Sequence, residues 1–106
     1  MQFRGGMNEL MRQAARLQRK VDDAKKALAD KEVTATSIGD KIKATATLSR
    51  KITRIEVDPE LVKSEGLDIV LDGVCAAVNS ALAEADKTME TELDKVTGGV
   101  KIPGML

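Results

Sequence analysis

The first half of the chain opens on a repeat of apolar residues. Met7, Leu10, Ala14, Leu17, Val21, Ala24 and Leu28 follow one another at alternating spacings of three and four. Apolar residues held at that spacing for about three heptads form a narrow seam along one side of an α-helix. Neither Gly nor Pro interrupts the run, and Gly6 or Asn8 is placed to cap its start. The pattern predicts a helix over residues 7–30, a rod about 36 Å long at 1.5 Å per residue. So narrow a seam suits one partner helix better than the interior of a globule.

The period then falls to two. Ile42, Ala44, Ala46 and Leu48 alternate with Lys41, Lys43, Thr45, Thr47 and Ser49, which predicts a strand with one dry and one wet face. A strand over 32–38, carrying Thr34 and Thr36, precedes it, with Gly39-Asp40 as the turn. A third strand, Ile52–Val57, follows the polar link Arg50-Lys51 and brings Ile55 and Val57 to the same apolar layer. The three strands make an antiparallel meander. Such a sheet, with small residues on its dry face, is marginal by itself and needs a cover, either a helix or a second chain's sheet.

Pro59 ends the third strand and suits the first turn of a helix, with Asp58 as its N-cap and Ser64-Glu65-Gly66 as its end. A second long helix follows, with Leu71, Val74, Val78, Ala81, Ala85, Met89, Leu93 and Val96 on one stripe and Gly98-Gly99 as its C-terminal stop. Residues 100–106, with Pro103-Gly104, are expected to form a loose tail. The fold class is therefore α+β, a single domain over 1–106: a long helix, a three-stranded antiparallel sheet and a second long helix.

Composition makes the core thin. Among 106 residues Phe3 is the one aromatic, at the N-terminus. The interior must be built from Leu, Ile, Val, Met and Ala, and a short chain with such a core commonly completes it by dimerising. Ile42, Ala44, Ala46, Leu48, Ile55 and Val57 are the candidates for this core and for the dimer contact.

Chemistry is hard to place. The chain has no histidine and a single cysteine, Cys75, in an apolar run, where it reads as a small buried hydrophobe. One cysteine allows no internal disulfide, in keeping with a reducing cytoplasm. The carboxylate pairs, such as Asp22-Asp23, lie on exposed helical positions. No metal-ligand spacing, phosphate-cradling loop, signal peptide or membrane-length apolar stretch is present. These observations predict no catalytic site, no metal, no cofactor, no small-molecule substrate and no membrane.

Charge is informative only in its distribution. The net is zero, yet residues 1–54 carry 13 Lys/Arg against 6 Asp/Glu, and residues 55–106 carry 4 against 11. On the first helix Arg12, Arg19 and Lys26 fall opposite the apolar seam, with Arg16, Lys20 and Lys25 beside them. An arginine stripe on a stiff rod can meet a run of phosphates, because guanidinium is planar, always charged and rich in donors. The same stripe can also simply solvate a helix. Lys41, Lys43, Arg50, Lys51 and Arg54 form a second basic group, of which Lys41 and Lys43 are equally readable as solvent lysines that guard a sheet edge. With no aromatics between these charges, stacking on single-stranded bases is not supported, so contact with a duplex backbone is the better fit. The last helix, with eight acids and two lysines from Glu65 to Lys95, should repel DNA, so that it either faces away from a nucleic acid or offsets the arginine stripe.

Several stretches together resemble the YbaB/EbfC family of nucleoid-associated proteins: Gly5-Gly6-Met7-Asn8-Glu9-Leu10-Met11-Arg12-Gln13-Ala14, Ile55-Glu56-Val57-Asp58-Pro59-Glu60-Leu61, Ala76-Ala77-Val78-Asn79-Ser80-Ala81, and Gly98-Gly99 with Ile102-Pro103-Gly104. The chain departs from the family's glycine-rich first hairpin, having Ser37-Ile38-Gly39-Asp40 there. The resemblance implies a tweezer-like homodimer with the two sheets at its centre and the long helices as paired prongs. It implies binding of double-stranded DNA with little sequence preference, in the cytoplasm, at the bacterial nucleoid, with a role in chromosome organisation and gene regulation. On that reading Arg12, Arg16, Arg19 and Lys20 contact phosphates, supported by Lys25, Lys26 and Arg54. The competing reading is a homodimeric protein-interaction module that grips a partner protein instead of DNA.

Overall fold

The computed structural model describes residues 3–99, with side chains from residue 6 onward. Phe3 as a side chain and the expected tail over 100–106 therefore lie outside the described residues. The order of elements is α1 (Phe3–Leu28), β1 (Glu32–Ser37), β2 (Ile42–Thr47), β3 (Ile52–Val57), α2 (Pro59–Glu65) and α3 (Leu67–Thr97). The chain forms two compact units. One comprises α1 up to Ala27 and the end of α3 from Glu90; the other comprises residues 28–89.

The helix start differs from the expected one. Gly6 and Asn8 do not cap α1, because the helix already begins at Phe3 and runs through Gly5-Gly6. Two glycines weaken a helix by about 1 kcal/mol each without forbidding it. The run Met7–Leu28 that follows is mostly good helix formers, and propagation carries the turn back through the glycines.

In the 28–89 unit the sheet has the order β1-β2-β3, antiparallel throughout. Val33 faces Ala46, Ala35 faces Ala44, and Ile42 faces both Ser37 and Val57. A register shift at Thr45/Ala46 pairs Thr45 with Arg54 and Ala46 with Ile52, leaving Thr53 as the extra residue of a bulge. The two hairpin turns are strained in different ways. Ile38, Gly39 and Asp40 are all left-handed (φ 49°, 59° and 66°), and the Thr36 hydroxyl donates to Asp40 Oδ1 at 2.8 Å. Left-handed backbone is costly for a β-branched residue such as Ile38. Its side chain is repaid by packing over Gly73 of α3, a position where an added Cβ would lie 2.6 Å from Ile38 Cδ1. The second turn is a three-residue loop in which the Arg50 N–H donates to Thr47 O and Arg50 is left-handed (φ 71°). Glycine usually occupies that position.

The core of this unit is Ile42, Ala44, Ala46 and Leu48 from the sheet side, Leu61 from α2, and Val70, Ala77, Ala81 and Ala85 from α3. Alanine meets alanine, so helix and sheet approach closely and bury little area per contact. The buried stripe of α3 is rotated from the expected one. Val70, Gly73 and Ala77 face inward, whereas Leu71 is 52% exposed. Ala81, Ala85 and Leu93 are buried, and Val74, Val78, Met89 and Val96 are half-buried. Cys75, expected as a buried hydrophobe, is exposed, because it falls outside the stripe set by Gly73 and Ala77.

The caps follow local chemistry. Asp58 Oδ1 accepts the Glu60 N–H at 3.0 Å at the start of α2, with Pro59 in the first turn. Gly66 (φ 86°) ends α2. At the end of α3, Gly98 is left-handed and the Gly99 N–H reaches back to Asp94 O at 3.0 Å, a Schellman closure.

In the helical unit the buried positions are Val21 of α1 and Leu93 and Thr97 of α3. The expected seam of α1 is covered only in its second half. Met7, Leu10 and Met11 are 60–68% exposed within one chain, because a seam needs something alongside it to be buried at all.

Candidate nucleic-acid interface

α1 carries the basic residues on a continuous frame. With 3.6 residues per turn, Arg12, Arg16 and Arg19 stand at i, i+4 and i+7 and share one face, opposite buried Val21. All three are exposed, and so is Lys20, one turn beyond Arg16. Arg12 lies 3.5 Å from Glu9, and both side chains are half or more in solvent. An exposed pair of this kind is worth 0–1 kcal/mol and breaks readily for a stronger anion. From Leu10 to Val21 the helix has no acidic residue.

The remaining candidates are not equivalent. Lys26 is exposed, but Lys25 is half-buried and already engaged in an interaction. Arg54 belongs to β3, not to this helix. It is 70% exposed and sits 3.4 Å from Glu56. Its side of the sheet is close to neutral: Lys43 stands opposite Glu56, and Thr53 donates to Glu32 at 2.8 Å. Arg50, read from the sequence as part of a second basic group, makes an exposed ion pair with Asp86 of α3, no stronger in kind than that of Arg12 with Glu9. Lys41 lies 3.7 Å from Asp58. The structure thus gathers Arg12, Arg16, Arg19 and Lys20 on one exposed helical face with no acid between residues 10 and 21, whereas carboxylates stand beside Lys41, Arg50 and Arg54.

What the sequence concealed is an apolar surface. In the 28–89 unit Ile52, Ile55, Leu67 and Leu71 are each at least 36% exposed. Ile55 shares its side of the sheet with buried Ala44, yet is 44% exposed, and Val57 is only half-buried. Alternation gives the side of the sheet; it does not say whether anything covers the edge strand. Among the described residues there is no cluster of His, Cys, Asp or Glu able to hold a metal ion, and no helix is long and apolar enough to cross a membrane.

Comparison with known proteins adds independent findings. Residues 3–100 match the profile of the YbaB/EbfC DNA-binding family. The chain is 37% identical over 101 residues to a nucleoid-associated protein of Clostridium acetobutylicum, covering 95% of this chain and 90% of that one. It is 38% identical to a nucleoid-associated protein of Clostridium kluyveri, covering 95% and 89%. Among solved structures, an uncharacterized protein of Helicobacter pylori superposes with a TM-score of 0.67 over 86% of this chain and 96% of that one, at 11% identity, a likeness of fold.

Proposed function

Because the chain belongs to the YbaB/EbfC DNA-binding family, we propose that it is a nucleoid-associated protein whose DNA contact is the outer face of α1, with Arg12, Arg16, Arg19 and Lys20 on phosphates. The observation that carries this reading is the uninterrupted helix Phe3–Leu28, which aligns three exposed guanidiniums along one face with no carboxylate from residue 10 to 21. Arg12 and Arg19 are seven residues apart, about 10 Å along the axis, a distance over which a DNA strand presents two or three phosphates. Contacts of this type hold the duplex without reading base edges, so the binding has little sequence preference. Lys25, Lys26 and Arg54 play a lesser part: Lys25 is half-buried and already engaged, and Arg54 belongs to β3, outside the arginine stripe, where Lys43 stands opposite Glu56.

The active species in this reading is a homodimer. Support comes from the apolar surface a single chain leaves in water, Ile52, Ile55 and Leu71 in the sheet unit and Met7, Leu10 and Met11 on α1. Large apolar side chains left in water on a small chain, where they gather into a patch, are the usual mark of an association site. The reading assigns the chain no catalytic role and a place at the nucleoid. With no histidine in the chain, its one cysteine has no imidazole base to activate it.

Salt dependence tests the proposal. Each neutralised phosphate adds about 0.9 to the log–log slope, so the three arginines account for about 2.7 per engaged protomer. Between about 50 and 200 mM salt that amounts to roughly 40-fold in affinity. A gel-shift titration of wild type and of R12A/R16A/R19A on unrelated duplexes should show the slope fall by that amount. Equal retention of DNA by the triple variant at both salt concentrations refutes α1 as the contact.

A further inference from the structure

The basic face of α1 does not run the length of the helix. Between Leu10 and Val21 its charges are Arg12, Arg16, Arg19 and Lys20, all positive. From residue 22 to 26 they are Asp22, Asp23, Lys25 and Lys26, which cancel. Helical geometry puts Asp23 on the arginine stripe itself: it stands at i+4 from Arg19 and i+7 from Arg16, next along the face that would meet the duplex. Asp22 and Asp23 are both exposed. Lys26 follows at i+4 from Asp22 and i+3 from Asp23, the spacing at which helical acid–base pairs attract, with the acid on the favourable N-terminal side.

We propose that Asp23, seconded by Asp22, is a negative determinant that ends the phosphate track at Lys20. The proposal rests on the reading of α1 as the DNA contact. A strand following the stripe past Arg19 meets a carboxylate where the next guanidinium would stand. Lys26, beyond it, is offset by two acids and adds little. The footprint on each protomer is therefore the Arg12–Lys20 segment, about 12 Å of helix axis, and affinity is held below what the same rod would reach without Asp23.

Fluorescence anisotropy on two short duplexes of unrelated sequence, at low and moderate salt, tests this. Asp23→Asn should tighten binding about threefold at low salt, an effect that fades as salt screens it. Asp23→Lys should tighten it about tenfold and steepen the salt slope by about 0.9, the signature of one added phosphate contact. Lys26→Ala should weaken binding less than twofold, against a larger loss for Arg16→Ala. Asp72→Asn on α3, also exposed, makes the same change in total charge and serves as the control for a general electrostatic effect. Unchanged or weaker affinity in Asp23→Asn, or an equal gain in Asp72→Asn, overturns the inference while Arg16→Ala still loses affinity. If the arginine variants bind like wild type, the reading of α1 itself has failed, and the inference with it. Far-ultraviolet circular dichroism of each variant verifies that the helix is intact.

Discussion

Gly73 of α3 lies against the first hairpin, and replacing it with alanine has two opposed effects that the structure can weigh. Alanine is favoured over glycine within a helix by about 1 kcal/mol. The added methyl, however, would lie 2.6 Å from Cδ1 of Ile38 and 2.6 Å from Cδ1 of Ile42. Ordinary carbon–carbon contact is about 3.5–4.0 Å, so each neighbour must withdraw by roughly 1 Å. Ile42 is fully buried and has nowhere to go. Ile38 is held in left-handed backbone, and the Ser37 hydroxyl next to it donates to Gly73 O at 2.6 Å. Overpacking at such a site costs about 1–3 kcal/mol. Steric cost outweighs propensity, and Gly73→Ala is expected to destabilise by about 1–2 kcal/mol. Urea denaturation at fixed protein concentration measures this. The decisive comparison uses the Ile38→Val/Ile42→Val background, which lacks both Cδ1 atoms. There only the γ-carbon of residue 38, 3.2 Å from the added methyl, remains close, and Gly73→Ala should cost clearly less than in wild type. An equal loss in both backgrounds, or a stabilised single variant, refutes the steric argument.

Other expectations follow from single interactions. Asp58→Ala removes the cap on α2 and should cost about 1 kcal/mol in the same denaturation assay. Arg50→Gly relieves left-handed backbone while giving up an exposed ion pair to Asp86; the backbone gain of about 1 kcal/mol outweighs a pair worth 0–1 kcal/mol, so thermal unfolding should be unchanged or slightly higher. Ile55→Glu places a charge on the open apolar surface of β3 and should lower the mass seen by light scattering to that of one chain, with the far-ultraviolet spectrum retained. An unchanged mass would remove Ile55 from the proposed dimer contact.

The elements were legible because they depend on local periodicity. A three-and-four spacing from Met7 to Leu28 can only be a helix with one apolar side, and alternation from Lys41 to Ser49 can only be a strand with two unlike faces. The ends set by proline, by Asp58 and by Gly98-Gly99 were legible for the same reason, since capping is short-range chemistry. The start of α1 was not, because glycine reads as a stop when propagation through it is not considered.

The candidate interface divides in the same way. That Arg12, Arg16 and Arg19 share a face follows from their numbers and the helical pitch. Which basic residues are free for a polyanion does not, because an ion pair such as Arg50–Asp86 joins residues 36 apart, and only the folded chain brings them together. Burial is the other thing that tertiary structure decided. Sequence assigns each residue a side, but whether that side is covered depends on what lies against it. Leu71 and Cys75 stayed in water when the stripe of α3 turned toward Val70 and Ala77, and Met7 and Leu10 stayed in water because nothing among the described residues covers them. Periodicity is a property of one segment; cover is a property of two.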